Sequence, residues 1–223
     1  MTGTDIADGV AELIAKSLVF RTSSTATAEF RLLETTRAYA FDRLTECGAL
    51  ASVAARHADY LREMLRDMEN EQRSTLQDEY VVAALHRRAD EIHAALDWAF
   101  SASGDSALGL SLTIAAVPLW FELSQMAVAH DRAEHDLRYV ETGSEQEMWL
   151  LLALGHALWY MGPGSDAMEP AFARALAIAE RVRATAVQTR ALWGMWGVRR
   201  ARDCEPVCGW RGQRGRLQCY ASR

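Results

Sequence analysis

The spacing of apolar residues changes twice within the first fifty positions. Apolar positions at helical spacing predict a helix from Asp5 to about Ser17. The stretches "SLVFRT" and "EFRLLE", with the polar "SSTATA" between them, predict two strands joined by a turn. Helical spacing returns in "ETTRAYAFDRL", and Gly48 is placed to end that helix. The pattern of helix, β-hairpin and helix matches the back half of a winged-helix module, whose front half is missing.

The apolar pattern after Gly48 is helical throughout. One predicted stripe comprises Val53, His57, Tyr60, Leu61, Met64 and Met68, and a second comprises Leu85, Ile92, Leu96, Ala99 and Phe100. Further helices are expected at about 107–123, 127–140, 145–160 and 167–183, with another from Thr185 to about Gly197. Helices of this length with short connections predict an antiparallel array of helical hairpins, so the fold class is mainly α.

Two neighbouring helices in this array resemble a tetratricopeptide unit. The first, "LLLALGHALWYMG", has the Leu-Gly pair and the aromatic residues, and the second, "AFARALAIAE", has the small and aromatic packing positions. The match needs a shift of one residue between the two helices. A helical hairpin packed through alanines, without a repeat relationship, is the alternative.

Three segments follow from these patterns. They are a partial winged-helix module at 1–48, a tetratricopeptide-like helical array at 49–198 and a basic tail at 199–223. The tail has neither strand nor helix periodicity, and it begins in the middle of an apolar helical pattern. Either a frameshifted or misjoined end or a genuine basic tail explains it, and both predict poor order.

Charge is distributed unevenly along the chain. Residues 199–223 hold seven arginines against Asp203 and Glu205, and the net charge of the whole chain is −6. The body is therefore acidic, and direct nucleic-acid binding is not expected over most of its surface. No apolar run reaches the length of a membrane span, and the N-terminus lacks a signal-peptide pattern. These features predict a cytoplasmic protein without a membrane partner.

The sequence also argues against a phosphate-binding P-loop. That motif requires a lysine directly after a glycine cradle, and the only lysine, Lys16, follows "VAELIA". The "GPGSDA" stretch is better explained as a turn in which Ser165 or Asp166 caps the next helix. "GDSALG" differs from a nucleophile elbow, because it has one residue too many after Ser106 and follows a helix.

The spacing of the histidines and cysteines does not match that of a metal site either. His130 and His135 are five residues apart, which places them on different faces of a helix. The tail cysteines Cys204, Cys208 and Cys219 have loose spacing and no following histidine. No residue is therefore assigned to catalysis, to a cofactor or to a metal, and the chain is not expected to be an enzyme.

Tryptophans provide the candidate binding residues. Trp149, Trp159 and Trp193 fall on the predicted helices of the array and are assigned to partner binding. Like Trp196, they are also explained as core aromatics or as residues of the array's concave surface, since aromatic residues at helical spacing usually belong to a core.

Several stretches together resemble a known bacterial architecture. "VAELIAKSLVFRT", "FRLLETTRAYAFDRL", "RHADYL" and "EIHAALDWAF" are similar to the region after the nucleotide-binding core of NB-ARC/STAND-type predicted ATPases, over about residues 5–198. In that family a winged helix closes the ATPase module and a tetratricopeptide-like sensor follows. Many members are transcriptional regulators. The family's Walker motifs have no counterpart in this chain, so its ATPase activity does not transfer.

The resemblance implies a non-catalytic, truncated regulatory fragment that takes part in signal transduction. Its helical array would bind a protein partner or a small-molecule inducer, with self-association as a further outcome. Arg37 and Arg43, on the helix after the hairpin, would lie on its polar side or face acidic neighbours. The alternative is a DNA-binding regulator acting through the N-terminal winged helix. That alternative needs a basic recognition helix, yet residues 5–17 carry three acidic residues against Lys16 alone.

Overall fold

The structure is a computed structural model, and it describes residues 3–23, 28–71, 79–162 and 165–204. These residues form nine helices and one antiparallel pair of strands, which confirms the mainly α fold class with a hairpin after the first helix. In chain order the elements are α1 (Gly3–Ala15), β1 (Val19–Ser23), β2 (Ala28–Leu32), α2 (Glu34–Glu46), α3 (Leu50–Glu71), α4 (Glu79–Ala99), α5 (Ser106–Glu122), α6 (Met126–Asp136), α7 (Glu145–Met161), α8 (Met168–Val182) and α9 (Thr185–Cys204).

The chain divides into two compact units. The first lies within residues 1–56 and the second begins at His57, so the division falls inside α3. None of the described helices combines the length and the apolar run that crossing a lipid bilayer requires.

In the first unit, the hairpin pairs β1 with β2 in antiparallel register. Val19 faces Leu32, Phe20 faces Arg31, and Arg21 faces Phe30. Each face of the hairpin therefore carries one Phe–Arg cross-strand pair, since side chains alternate between faces along a strand. α1 packs against β1 and helps to bury Val19.

The helix after the hairpin ends as its sequence predicts. Gly48 has a positive φ of 67°, and the amides of Gly48 and Ala49 donate to the carbonyls of Thr45 and Leu44. These two bonds form a Schellman motif, which satisfies carbonyls that the end of α2 would otherwise leave unpaired. Glycine is favoured there because the left-handed conformation strains a residue with a Cβ.

The first unit exposes much of its apolar surface. α2 contains no buried residue. The exposed large apolar side chains of α1, the hairpin and α2 are Leu13, Ile14, Leu18, Phe20, Phe30, Leu32, Leu33, Tyr39 and Phe41. Scattered exposed apolar residues are ordinary on a monomer, and on the hairpin they are divided between its two faces, with Phe20 on one and Phe30 on the other.

The second unit is built around two main clusters of buried side chains. The first draws mainly on α3, α4 and α5, with Leu61, Ile92 and Trp120 fully buried. The second joins α7, α8 and α9 around Phe172. Each helix from α4 to α9 packs against the next one, and α7 also contacts α5 and α9. Contacts between both consecutive and alternate helices are typical of stacked helical hairpins.

Two glycines make room for Phe172. A Cβ at Gly155 of α7 would lie 2.7 Å from the Phe172 ring, and one at Gly194 of α9 would lie 2.5 Å from it. Both distances are too short for real atoms, so the ring occupies space that only glycine leaves free. The Leu-Gly pair and the aromatic residue noted in the sequence thus meet at the contact between α7 and α8.

The structure corrects the predicted stripe on α3. The buried residues are Ala58, Leu61 and Leu65, whereas His57, Tyr60 and Met68 are exposed. Leu61 belongs both to the predicted stripe and to the core, but the core face is rotated towards Ala58, whose small side chain gives a weak hydrophobic signal. On α4 the predicted residues Ile92, Leu96 and Ala99 are buried, and the side chain of Leu85 lies outside the described residues.

The structure also changes the start of the tail. Residues 199–204, which the sequence assigns to the tail, continue α9. Arg199 and Arg202 both bond the carboxylate of Glu169 on α8, which ties this last part of α9 to the preceding helix. Residues 205–223, with Cys208 and Cys219, lie outside the described residues.

Candidate partner-binding surface

The three tryptophans predicted from the sequence occupy different environments. Trp149 on α7 and Trp193 on α9 are accessible, with 36% and 58% of their surface exposed. Trp159 is half-buried at the edge of the second cluster, and its Cη2 lies 3.1 Å from where a Cβ of Gly197 would be. No ring-to-ring contact links any two of the three within the described part of the chain. Trp149 and Trp193 are therefore available to a partner, while Trp159 packs between α7 and α9.

α9 presents an aromatic stripe that the three assigned residues only partly capture. Leu192, Trp193 and Trp196 are each more than half exposed, and the guanidinium of Arg200 lies 5.5 Å from the centre of the Trp196 ring. These four residues are called the α9 stripe. Their spacing of three or four residues places them on one helical face. That spacing is readable from the sequence, but it predicts a core face and an exposed face equally well.

The opposite face of α9 is buried. Val187, Ala191, Gly194 and Val198 recur at helical spacing and pack into the second cluster or against Phe172. One apolar face of α9 thus packs into the core of the second unit, and a second apolar face is exposed to solvent. A helix that is apolar on two faces normally covers both, so the exposed face is a candidate binding surface.

A buried carboxylate fixes the start of α7. Glu147 accepts hydrogen bonds from the Gly143 amide and from Nε of Arg174 on α8, and Ser144 Oγ accepts from the Glu147 amide at 3.1 Å. Burial alone would raise the pKa of Glu147, but the bonds from Arg174 and Gly143 outweigh it and lower the pKa. This cap ties the first turn of α7 to α8.

A second buried carboxylate lies on α6. Asp136 is fully buried, and its Oδ1 lies 2.8 Å from His135 Nδ1. Burial raises the pKa of Asp136, although the neighbouring His135 and Thr113 lower it in part. Thr113 Oγ1 and Asp136 Oδ2 complete no hydrogen bond of ordinary geometry within the described structure. The same His–Asp arrangement recurs at His130 and Asp131, where the carboxylate is exposed.

His156 lies on α7 and is held by contacts within the second unit. His156 donates through Nδ1 to the Leu152 carbonyl at 2.9 Å and packs edge-on against Phe172. Burial lowers the pKa of His156. No group of three or more His, Cys, Asp or Glu side chains is arranged to hold a metal ion among the residues that the structure describes. Ser106 begins α5 next to its cap Asp105, whose Oδ1 accepts from the Leu108 amide.

In the first unit, two arginines stand out on the hairpin. Arg21 and Arg31 are exposed on opposite faces of the hairpin, each across from a phenylalanine, and neither has an acidic partner among the described residues. Arg37 and Arg43 differ, because each forms an ion pair with a glutamate one turn away on α2. The arginines of α2 therefore face acidic neighbours on a solvated face, as the sequence predicts.

Comparison with known proteins finds relatives of part of the chain. It is similar to bacterial transcriptional regulators of the HTH type. "Putative HTH-type transcriptional regulator Rv0890c" of Mycobacterium tuberculosis (strain H37Rv) and "Putative HTH-type transcriptional regulator Mb0914c" of Mycobacterium bovis are each 31% identical to it over 116 residues. The match covers 52% of this chain and only 13% of either relative. No protein-family model and no solved structure matches the chain.

Proposed function

We propose that the chain is a non-catalytic regulatory module of a transcriptional regulator and acts by binding a partner through its helical unit. The observation that carries this proposal is the similarity to the mycobacterial regulators. The accessible α9 stripe supports the binding part, because exposed aromatic residues beside an arginine are typical of protein interfaces.

The stacking pattern supports a finer form of the same proposal. α7 contacts both α5 and α9 besides its sequence neighbours, and Phe172 packs against Gly155. A tetratricopeptide-like array would pack in this way. We infer that the parent regulator is of the NB-ARC/STAND type, in which such an array senses a partner or an inducer and biases an ATPase switch.

A transcript profile tests the regulatory role. Deleting the gene in its native host is expected to change a reproducible set of transcripts, and the wild-type gene is expected to restore them. The double variant Trp193→Ala/Trp196→Ala should fail to restore them at a normal protein level, because it removes most of the α9 stripe. Glu134→Gln, an exposed change on α6, is the matched control and should restore them. Unchanged transcripts in the deletion strain would refute the regulatory role.

The non-catalytic part has its own test. Because Lys16 lacks a glycine cradle, we expect calorimetry to detect no binding of magnesium–ATP by the isolated chain. Micromolar binding that depends on magnesium would overturn this expectation.

The exposed arginines of the hairpin favour a second candidate function, in which the first unit contacts DNA. The guanidinium groups of Arg21 and Arg31 are free to meet phosphates. Fluorescence anisotropy with labelled duplex DNA would then show salt-sensitive binding that Arg21→Ala/Arg31→Ala abolishes and Arg37→Ala leaves intact. The absence of binding at about 50 mM salt, where phosphate contacts are strong, would exclude this function.

A further inference from the structure

The charges around the α9 stripe are unbalanced. α9 carries arginines at 190, 199, 200 and 202, and no acidic side chain is described along residues 185–202. Arg199 and Arg202 both pair with Glu169 of α8, and Arg202 also lies 3.8 Å from the carboxylate of Asp166. Arg190 and Arg200 are exposed and have no acidic partner among the described residues. Arg200 therefore adds a free positive charge within the stripe, and Arg190 adds another at its flank, one turn before Trp193.

The two free arginines lie at a definite separation. They are ten positions apart on one helix, which corresponds to about 15 Å along the axis and about 80° around it. Leu192, Trp193 and Trp196 lie between them. An occupant that matches this surface needs apolar side chains over about two turns and carboxylates beyond both ends of that apolar run.

From this pattern we propose that the α9 stripe binds an amphipathic helix of an acidic partner protein. The apolar side chains of that helix would pack on Trp193 and Trp196, and its Asp or Glu residues would pair with Arg190 and Arg200. Helix-on-helix binding of this kind uses residues at i, i+3, i+4 and i+7. This inference rests on the proposed function, because it names the class of partner for the same surface.

A second copy of the chain fits the stripe less well. α9 has no acidic side chain along residues 185–202, so a second α9 packed on the stripe would bring no opposite charge to Arg190 and Arg200. The interface would then hold only positive charges from both copies, which costs free energy. An acidic helix meets the same arginines with opposite charge.

Single-stranded nucleic acid also combines negative charge with stacking surfaces for tryptophan. The chain as a whole carries a net charge of −6, which opposes a polyanion that extends beyond the stripe. A short acidic helix avoids this repulsion because its charges are confined to the two ends.

Three synthetic peptides of about 18 residues, long enough to span the stripe, test the proposal against the full chain. The first is an acidic amphipathic helix with leucine at i, i+3, i+4 and i+7 and glutamates flanking the leucines. The second replaces each glutamate with lysine, and the third scrambles the first. Fluorescence anisotropy should show the acidic helix binding at least about tenfold more tightly than either control peptide, with affinity falling as salt rises.

Variants of the chain test whether the acidic peptide binds at the α9 stripe. Trp193→Ala/Trp196→Ala should weaken binding of the acidic peptide by about tenfold or more, while Glu134→Gln should leave it unchanged. Arg190→Glu/Arg200→Glu should reverse the preference and favour the lysine peptide. Circular dichroism and the melting temperature check that each variant is folded, and all the changed residues are exposed.

Three outcomes would overturn the inference. They are equal binding of the acidic and lysine peptides, no effect of the tryptophan double variant, or tighter binding of oligo(dT) than of the acidic peptide. Each would leave the proposed function standing if the transcript profile still depends on the gene. Loss of that dependence would refute the function independently of which peptide binds.

Discussion

Two aspartates on α6 show how burial alone changes the role of one residue type. Asp131 and Asp136 each follow a histidine and each lie 2.8 Å from its Nδ1. Asp131 is exposed and Asp136 is fully buried. Burial raises the pKa of Asp136 above the value of about 3.8 expected for the unfolded chain. The folded state therefore holds a proton on Asp136 over a pH range in which the unfolded state has lost it.

This difference predicts a pH-dependent effect of Asp136→Asn. Wild-type stability should fall as pH rises from about 4 through the raised pKa, because ionising Asp136 is less costly in the unfolded state. The amide that replaces the carboxylate in the variant can still accept a hydrogen bond from His135 and has no charge to bury. The melting temperature of the variant should therefore rise relative to wild type between about pH 4 and pH 7.5.

The exposed pair supplies the control for this measurement. Asp131 has the same contact with a preceding histidine but is exposed, so the melting temperature of Asp131→Asn should follow that of wild type at about pH 4 and about pH 7.5. If Asp136→Asn and Asp131→Asn shift stability equally at both values, burial of Asp136 has no energetic consequence, and the reasoning is wrong.

At the scale of helices, the buried carboxylate of Glu147 joins the N-terminus of α7 to Arg174 of α8. Glu147→Gln should lower the free energy of unfolding by about 1–3 kcal/mol, nearer the lower end because Arg174 is half-exposed. The pKa of Glu147 is lowered in the folded state, so its stabilisation is present above the unfolded value and is lost as pH falls through the folded one.

Urea unfolding at pH 7 and at about pH 3 measures this contribution. The difference in unfolding free energy between wild type and Glu147→Gln should narrow at the lower pH, because acidification towards the lowered folded-state pKa removes the contribution of the ionised carboxylate. Glu145→Gln, an exposed change in the same helical turn, should be close to neutral at both values. A gap that widens on acidification would contradict the capping role.

The contact of Phe172 with two glycines gives a second prediction for the helices. Gly155→Ala or Gly194→Ala would place a Cβ 2.7 Å or 2.5 Å from a fully buried ring that has no room to move. Overpacking of this kind costs about 1–3 kcal/mol, partly offset by the better helix propensity of alanine. Both variants should therefore melt at a lower temperature than wild type.

Gly9→Ala is the matched control, because a Cβ at this position of α1 meets no atom within 4 Å. Its melting temperature should equal or slightly exceed that of wild type. A neutral result for both Gly155→Ala and Gly194→Ala would show that α7, α8 and α9 are not packed as closely as the distances indicate.

The sequence predicts most elements because helix spacing and end signals are local. Gly48 forms its Schellman motif where the pattern places it, and the hairpin forms between the two predicted strands. The end of α9 is missed because Arg199 and Arg202 are held by Glu169 of another helix, thirty or more positions away. Pairing of that kind leaves no periodic signal in the chain.

The candidate site is predictable only in part, for a related reason. Helical spacing shows that Trp193 and Trp196 share a face, but it does not show whether that face is covered. Coverage depends on Gly155, Gly194 and Phe172 drawing the opposite face of α9 into the core. Trp159 is also a tryptophan on a predicted helix, but it packs against Gly197.

At the scale of the whole molecule, each unit exposes apolar side chains. The first unit exposes Phe20 and Phe30 on opposite faces of its hairpin, and the second exposes the α9 stripe. That a partner covers these side chains is the central claim of the proposed function. Without a partner, both sets should bind a hydrophobic dye, and those of the hairpin should promote association.

Sedimentation velocity at tens of micromolar, together with binding of a hydrophobic dye, tests this claim most directly. We predict concentration-dependent association that Phe20→Ser/Phe30→Ser reduces. Trp193→Ala/Trp196→Ala should lower dye binding but leave association unchanged, because α9 has no acidic side chain along residues 185–202 to pair with the arginines of a second copy. A monomer at every concentration that binds no dye would contradict the claim.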